Sequence, residues 1–492
     1  MFESDEPSNN YTPLFFPKNI GIIGASKDPA GGGFFFRAMK EKFRGKIFLF
    51  NPNLAGKELL GEIVYSSILE ISEQIDYVIL AVPAHLVPNL LGEVGQKNVP
   101  FCTIFSSGFR EVGNEDLEKK TLAVARKNNI RIIGPNCLGI YNPKGGLYFS
   151  FEQSRKSGNF GGIFQSGGIA QNISQLAVSY GLYISKFISI GNALDLSPAD
   201  FLDYFNTDEY TKIIGLYIEN LRSIEQGRKF LNAMKRCNLN RKPVILWRAG
   251  YGEATKKAIL SHTGGLAGNN RIWEAIGKQT GSCIVKNSNE LAALASAFNL
   301  AHLPESRNVG VIGIGGGSTI EAVDILEKFN LKIPPLAEKT VVKMSRFMPN
   351  VNTNLTNPID LGGMGIQPHI YYRTILALQK DPNISSIVFI KDPERFGSFE
   401  DILEELGYHN MDLNREFIRY ISKAKSVSTK PMYCVMLKIN EGFEEYKSRY
   451  KFKLKLLNRN VPVFESLDLA GIVLDKVNSY REFLQKHEKY PK

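Results

Sequence analysis

Short apolar, β-branched runs recur along this chain, each ended by a glycine-rich turn and followed by residues with a helical apolar period. The first is Ile20-Gly21-Ile22-Ile23, running into Gly24-Ala25-Ser26. The second is Gly162-Ile163-Phe164, running into Gln165-Ser166-Gly167-Gly168; the third is Val309-Gly310-Val311-Ile312, running into Gly315-Gly316-Gly317-Ser318. Strand, turn and helix in that order predict α/β layers on parallel sheets. Near-continuous apolar runs at 77–82, 213–218, 243–247 and 385–390 predict further strands, covered by helices on both faces. After Gly168, the positions Ile169, Ile173, Leu176, Ala177 and Tyr180 share one helical face and stop at Gly181. The three strand starts lie roughly 140–150 residues apart, a spacing of ordinary domain size. Turn-rich segments at 142–146 and 302–306 mark the expected boundaries, giving domains 1–145, 146–302 and 303–492.

Composition narrows the class. With 492 residues, 43% hydrophobic and 22% charged, the chain is not disordered as a whole. No apolar run reaches the length of about 18 residues that a membrane helix needs. Glu3, Asp5 and Glu6 replace the basic start of a secretory signal, so a cytoplasmic protein is expected. Five cysteines without CxxC spacing predict reduced thiols and no metal site. The net charge of +11 suits an anionic partner. No nucleic-acid motif is present, so anionic metabolites are expected rather than nucleic acid or membrane. The basic stretch Lys447, Arg449, Lys451, Lys453, Lys455 alternates and reads as a solvated edge strand.

The candidate chemistry lies in the turns. Gly24-Ala25-Ser26 opens onto a helix whose free N–H groups favour a phosphate. A nicotinamide dinucleotide domain usually carries Asp or Glu at the end of the next strand; here Asn51 stands there, which disfavours NAD. Val82-Pro83-Ala84, Ser106-Ser107-Gly108-Phe109 and Gly134-Pro135-Asn136-Cys137 end further strands and line the crevice of an open parallel sheet. Ser166, Gly167 and Gly168 precede a helix without acidic residues, a second anion site. His262 is one of six histidines and is flanked by small residues and glycines in Ser261-His262-Thr263-Gly264-Gly265. A neutral imidazole there can take a phosphoryl group if a carboxylate orients its other N–H, and Glu219 at a strand end is the candidate.

Leu14-Phe15-Phe16-Pro17-Lys18, GIIGAS, Asn51-Pro52, AVPA, SSGFRE and GPNCLG, in that order, resemble the CoA-binding domain of acyl-CoA synthetases that form a nucleoside diphosphate, relatives of the succinyl-CoA synthetases. GNALDLSPADFLDYF, LYIENLRSIEQGRKFL and KPVILWRAGYGEATKKAILSHTGGLAG resemble the second domain of the same family. The resemblance implies an α/β chain with a Rossmann-like CoA-binding domain followed by two flavodoxin-like doubly wound parallel-sheet domains. It implies that Gly24, Ala25, Ser26 and Asn51 meet the nucleotide end of CoA. Val82, Pro83, Ser106, Ser107 and Asn136 would line its pantetheine path, with Lys57 standing in for a lysine the family often has where Asn53 is. It further implies that His262 is phosphorylated, that Glu219 supports it, and that Ser166 and Gly167 hold phosphate.

The third domain resembles the family through GVIGIGGGSTIEAVD and Asn357-Pro358-Ile359-Asp360-Leu361, with Ile314 and Met364 at positions where relatives usually have Asn and Asp. The last residues read as a charged helical tail. No GxxxxGK[ST] loop and no ATP-grasp segment is evident. ADP or ATP with Mg²⁺ is therefore expected on a separate ATP-grasp β subunit, in a heterotetramer. The expectation is the α subunit of an ADP-forming acyl-CoA synthetase, converting acyl-CoA, phosphate and ADP to a small carboxylic acid, CoA and ATP. A CoA-sensing or acetyl-transferring module and a succinyl-CoA synthetase-like ligase are the alternatives.

Overall fold

Seven strands form the first sheet: Asn19–Ile23 (β1), Lys46–Phe50 (β2), Glu58–Leu59 (β3), Glu62–Tyr65 (β4), Tyr77–Leu80 (β5), Phe101–Ile104 (β6) and Arg131–Ile133 (β7). They lie in the order β3-β4-β2-β1-β5-β6-β7, and every pair is parallel except β3 with β4. Counted in order of appearance, the parallel strands read 3-2-1-4-5-6, the doubly wound Rossmann arrangement. β5 and β6 are buried along their whole length, which is why their sequences are continuous apolar runs. The computed structural model describes residues 10–28, 31–249, 270–349, 351–405 and 412–488.

The second sheet contains Gly139–Tyr141 (β8), Ser157–Phe164 (β9), Ile184–Ser189 (β10), Ile213–Ile218 (β11), Val244–Arg248 (β12) and Cys283–Val285 (β13), in the order β13-β12-β11-β9-β10-β8. From β9 onward this is the 2-1-3-4-5 order of flavodoxin-like folds, with β8 added antiparallel to β10. The third sheet contains Val309–Gly313 (β14), Ile359–Asp360 (β15), Ser386–Lys391 (β16), Met432–Met436 (β17) and Val463–Phe464 (β18). Its order, β15-β14-β16-β17-β18, repeats the 2-1-3-4-5 arrangement, all parallel. The chain forms two compact units. One takes residues up to Val178 together with Tyr183–Lys286 and holds the first two sheets; the other takes Ser179–Leu182 with Asn287 onward and holds the third.

Within the first unit, aromatic rings of the N-terminal segment bridge β6 and the helix Pro198–Thr207 of the second sheet's layer. Phe15, in the short helix Thr12–Phe15, stacks on Tyr204 at 4.6 Å, and Tyr11 stacks on Phe101 at 5.8 Å. Beside these rings, Lys186 on β10 and Asp208 form an ion pair at 2.8 Å, their side chains only 1% and 6% exposed. Burial pulls the Lys186 ammonium below its ordinary pKa, and the Asp208 hydrogen bond opposes that shift.

The second unit corrects one expectation. The basic stretch is not an edge strand but part of the helix Phe443–Leu457. Its buried positions, Arg449, Phe452, Lys453, Leu456 and Leu457, recur at three and four residues, a helical period. Two of the cations that suggested alternation are buried and paired: Arg449 with Glu394, and Lys453 with Glu465 at 2.6 Å. Lys447, Lys451 and Lys455, four apart, face solvent. The charged tail is helical, as Leu467–Glu488, yet it buries Tyr480, Phe483 and Leu484. Among the described residues, no helix is long and apolar enough to cross a membrane.

Lys186→Met should destabilise the first unit by about 3–5 kcal/mol, because Asp208 is left as an uncompensated buried charge. Lys186→Met combined with Asp208→Asn should recover most of the loss. Urea denaturation of both variants checks this, and a single variant as stable as wild type contradicts it.

Candidate functional site

The carboxyl ends of the first sheet are laced by backbone hydrogen bonds from one strand end to the next. Gly24 N–H donates to Phe50 O at 2.9 Å, Ala81 N–H to Ile23 O at 2.8 Å, and Phe105 N–H to Leu80 O at 2.9 Å. Asn136 N–H then donates to Ser106 O at 2.9 Å, and the Ser106 hydroxyl donates to Val82 O. This lacing brings Gly24, Ala25, Ser26, Asn51, Val82, Pro83, Ser106, Ser107 and Asn136 to one edge. Gly24 has φ +92°, and a Cβ there would stand 2.2 Å from Ala81 O, so glycine is required for loop packing. Ala25 is buried and offers only its backbone, whereas Pro83 and Ser107 are exposed. The Asn51 amide donates to Ala25 O at 2.7 Å and accepts from Asn53 N–H at 3.0 Å, tying the loops after β1 and β2 together. The helix Gly32–Met39 has no side-chain cap and no acid in its first turn, which fits an anion at its N-terminus. Lys57 lies exposed in the turn before β3.

At the second sheet, Gln165 holds the switch point between β9 and β11. Its side-chain oxygen accepts from Glu219 N–H and, at 3.0 Å, from Asn220 N–H; its amide donates to Asn220 O at 2.9 Å. Ser166, Gly167, Gly168 and Glu219 are thereby collected at one strand-end crevice. The helix Gly167–Ser179 has no acidic residue in its first turn, and a Cβ on Gly168 would project into open space. Packing therefore does not require glycine at 168, while an anion approaching the helix backbone would benefit from it. Burial, then the neighbouring Glu219 carboxylate and its hydrogen bond, push the Tyr217 hydroxyl above its ordinary pKa. The carboxyl end of β12 supplies Arg248, which is fully buried, with its guanidinium 5.5 Å from the Trp273 ring centre. His262 lies outside the described residues.

The two edges meet through Gly134–Gly139, the segment that leaves β7 and enters β8. Leu138 N–H donates to Ser189 Oγ at 3.1 Å, and the Leu138 side chain stands 2.8 Å from where a Cβ on Gly167 would be. The loop that carries Asn136 thus packs directly on the start of the Gly167–Ser179 helix.

Comparison with known proteins bears on this pair of edges. Residues 18–143 match the CoA binding domain family, and residues 157–298 match the succinyl-CoA ligase like flavodoxin domain family. The chain is 36% identical over 380 residues to the alpha subunit of acetate–CoA ligase [ADP-forming] II from Pyrococcus furiosus, covering 77% of this chain and 81% of that one. The chain belongs to the ADP-forming acetate–CoA ligase family. It is also 37% identical over 351 residues to the ADP-forming acetate–CoA ligase of Methanocaldococcus jannaschii; the match covers 71% of this chain and about half, 49%, of that longer protein. Its fold is similar to the dinucleotide forming acetyl-coenzyme A synthetase 1 of Ca. Korarchaeum cryptofilum, solved with phosphate and ADP. The TM-score is 0.84 at 27% identity, over 98% of this chain and 99% of that one.

For a ligase of this family, the sequence motifs placed the glycine turns but not the residues that hold them. Gln165, Glu111, Asn192 and Arg222 all sit inside or beside motifs, yet the hydrogen bonds Gln165–Glu219, Glu111–Asn192 and Arg222–Glu118 span 54, 81 and 104 residues. For Gln165 and Asn192 the available signal was an amide side chain beside small residues. In the third domain, Ile314 and Met364 pack against the apolar core. Asp360 accepts from Gly315 N–H at 2.7 Å and Gly362 N–H at 2.9 Å, so the Asn-Pro-Ile-Asp motif has a structural task there.

Gly24→Ala should cost more than about 1 kcal/mol, because alanine is strained at this positive φ. Gly168→Ala should hold stability or raise it by up to about 1 kcal/mol, as a helical position gains from alanine. Thermal denaturation separates the two; equal losses would contradict the assignment of one glycine to packing and the other to an open approach.

Proposed function

We propose that this chain is the α subunit of an ADP-forming acyl-CoA ligase, interconverting acyl-CoA, phosphate and ADP with a carboxylic acid, CoA and ATP. The observation that carries the proposal is the packing of Leu138 against Gly167, which sets a CoA-type strand-end loop against a helix N-terminus with no acidic residue in its first turn. CoA would lie along the first sheet's carboxyl edge, its nucleotide end at Gly24, Ala25, Ser26 and Asn51. Its pantetheine arm would pass Val82, Pro83, Ser106 and Ser107 towards Asn136. Inorganic phosphate would sit at Ser166, Gly167 and Gly168, where backbone N–H groups and the helix dipole stabilise its charge. The division into 1–145, 146–302 and 303–492 belongs to the same proposal.

A phosphate oxygen attacks the thioester carbonyl, the C–S bond breaks and the CoA thiolate leaves, taking up a proton. The helix N-terminus stabilises the negative charge that builds in that step. An imidazole nitrogen of His262 then attacks the phosphorus of the acyl phosphate, the P–O bond breaks and the carboxylate departs. Glu219 would accept the other imidazole N–H and stabilise the charge on the ring; Gln165 fixes the backbone from which Glu219 projects. A terminal oxygen of ADP takes the phosphoryl group from His262 with cleavage of the P–N bond, on an ATP-grasp β subunit. Mg²⁺ bound there would neutralise phosphate charge.

Incubated with its partner subunit, Mg²⁺ and γ-32P-labelled ATP, the chain should acquire an acid-labile, base-stable label. His262→Ala should abolish the label and net ATP synthesis. Glu219→Gln should slow labelling roughly 2- to 30-fold, since a hydrogen bond to a charged group is worth about 1.5–3 kcal/mol and a neutral one about 1 kcal/mol. A His262→Ala chain labelled at the wild-type rate would overturn the phosphohistidine route.

A further inference from the structure

A line of polar side chains that takes no part in the chemistry above runs from the Ser106–Phe109 turn to the Glu219 loop. Glu111 closes that turn: its Oε1 accepts from Gly108 N–H at 2.6 Å and from Phe109 N–H at 3.2 Å. Its other oxygen, Oε2, accepts from the Asn192 side-chain amide at 2.5 Å, in the loop after β10. The Asn192 backbone carbonyl accepts from Arg222 Nη1 at 3.1 Å. Arg222 Nη2 donates to Glu118, whose side chain is only 5% exposed, so the guanidinium is held at both ends. Three residues before Arg222 stands Glu219, and the backbone of Glu219 and Asn220 is held in turn by Gln165. The Glu219–Arg222 segment is therefore anchored at its start to the phosphate loop and at its end to the CoA side.

We infer that Glu111, Asn192 and Arg222 are positioning residues that couple the CoA loop to the Glu219 loop, so that CoA and phosphate bind interdependently. The inference rests on the reading under Proposed function, which puts CoA on Ser106 and Ser107 and phosphate beside Gln165. A ligand that shifts the 106–109 turn moves the two N–H groups on Glu111. The same carboxylate then carries the displacement to Asn192 and, through its carbonyl, to Arg222. Burial pushes the Glu111 carboxyl up, but the bonds from Gly108, Asn192 and Phe109 outweigh it and hold the pKa below its ordinary value. The connecting group is thus a carboxylate, with both oxygens committed to different loops. By linkage, whatever CoA does to phosphate affinity, phosphate does equally to CoA affinity.

The test is calorimetric titration of the full chain with CoA, in the absence and presence of saturating inorganic phosphate. In wild type the CoA dissociation constant should change by about fivefold or more between the two conditions, the lower end of ordinary coupling. Asn192→Asp sets two carboxylates face to face and should bring the ratio to within about twofold of one. Asn192→Ala removes the donor without adding charge and should do the same, which decides the matter if the aspartate variant does not fold. Glu111→Gln with Asn192→Asp exchanges donor and acceptor while leaving Oε1 on Gly108, and should restore the wild-type ratio. A merely structural contact would shift both dissociation constants together and leave their ratio intact; that result overturns the relay, as does a wild-type ratio of one. Failure of wild type to bind CoA at all would overturn the functional reading instead.

Discussion

The six residues from Gly134 to Gly139 are the constraint on which the first unit depends. β7 ends at Ile133 and β8 begins at Gly139, so one short segment finishes the first sheet and starts the second. It cannot drift, because its polar groups are claimed from both sides. Leu194 N–H donates to Gly134 O at 2.8 Å and Asn192 N–H to Pro135 O at 2.9 Å, while Asn136 donates back to Ser106. The approach is so close that a Cβ on Gly191 would stand 2.2 Å from Pro135 O. Two strand-end crevices that would otherwise be independent are fixed in one body. The Arg131–Asp195 pair at 2.8 Å and the Arg222–Glu118 pair secure the same seam.

That seam sets two crevices of similar build side by side. Each offers a helix start without acid in its first turn, where the helix dipole favours an anion. Their glycines differ in purpose: Gly24 is forced by Ala81, whereas Gly168 faces open space. The third sheet repeats the topology and the glycine turn of the second but not its tie. Where Gln165 spans two loops, Ile314 packs into the core, and Asp360 from the neighbouring strand holds the turn instead. The same architecture therefore carries a polar staple in one copy and an apolar plug in the other, which accords with the chemistry proposed for the second sheet.

Much of this was legible in the amino-acid sequence because parallel sheets write themselves as continuous apolar runs between glycine turns. Ile20–Ile23, Tyr77–Leu80 and Ile213–Ile218 are strands for that reason, and the Ile169–Tyr180 period gave the helix that follows Gly168. The stretch from Lys447 to Lys455 misled because alternation of charge was read at a period of two, while burial of Phe452, Leu456 and Leu457 follows a period of 3.6. The candidate ligand positions were legible as turns, but what fixes them was not. Glu111 meets Asn192 across 81 residues and Glu118 meets Arg222 across 104, separations that leave no local trace in composition or spacing. Long-range polar pairs of this kind become visible only when the sheets are assembled.

In the proposed reaction the reactive end of CoA arrives where Leu138 meets Gly167. A CoA analogue carrying a photoreactive group on its sulfur tests this most directly, with cross-linked peptides mapped by mass spectrometry on the full chain. Cross-links are expected in residues 134–139 or 165–168, competed away by unmodified CoA. Competable cross-links confined to residues 303–488 would contradict it.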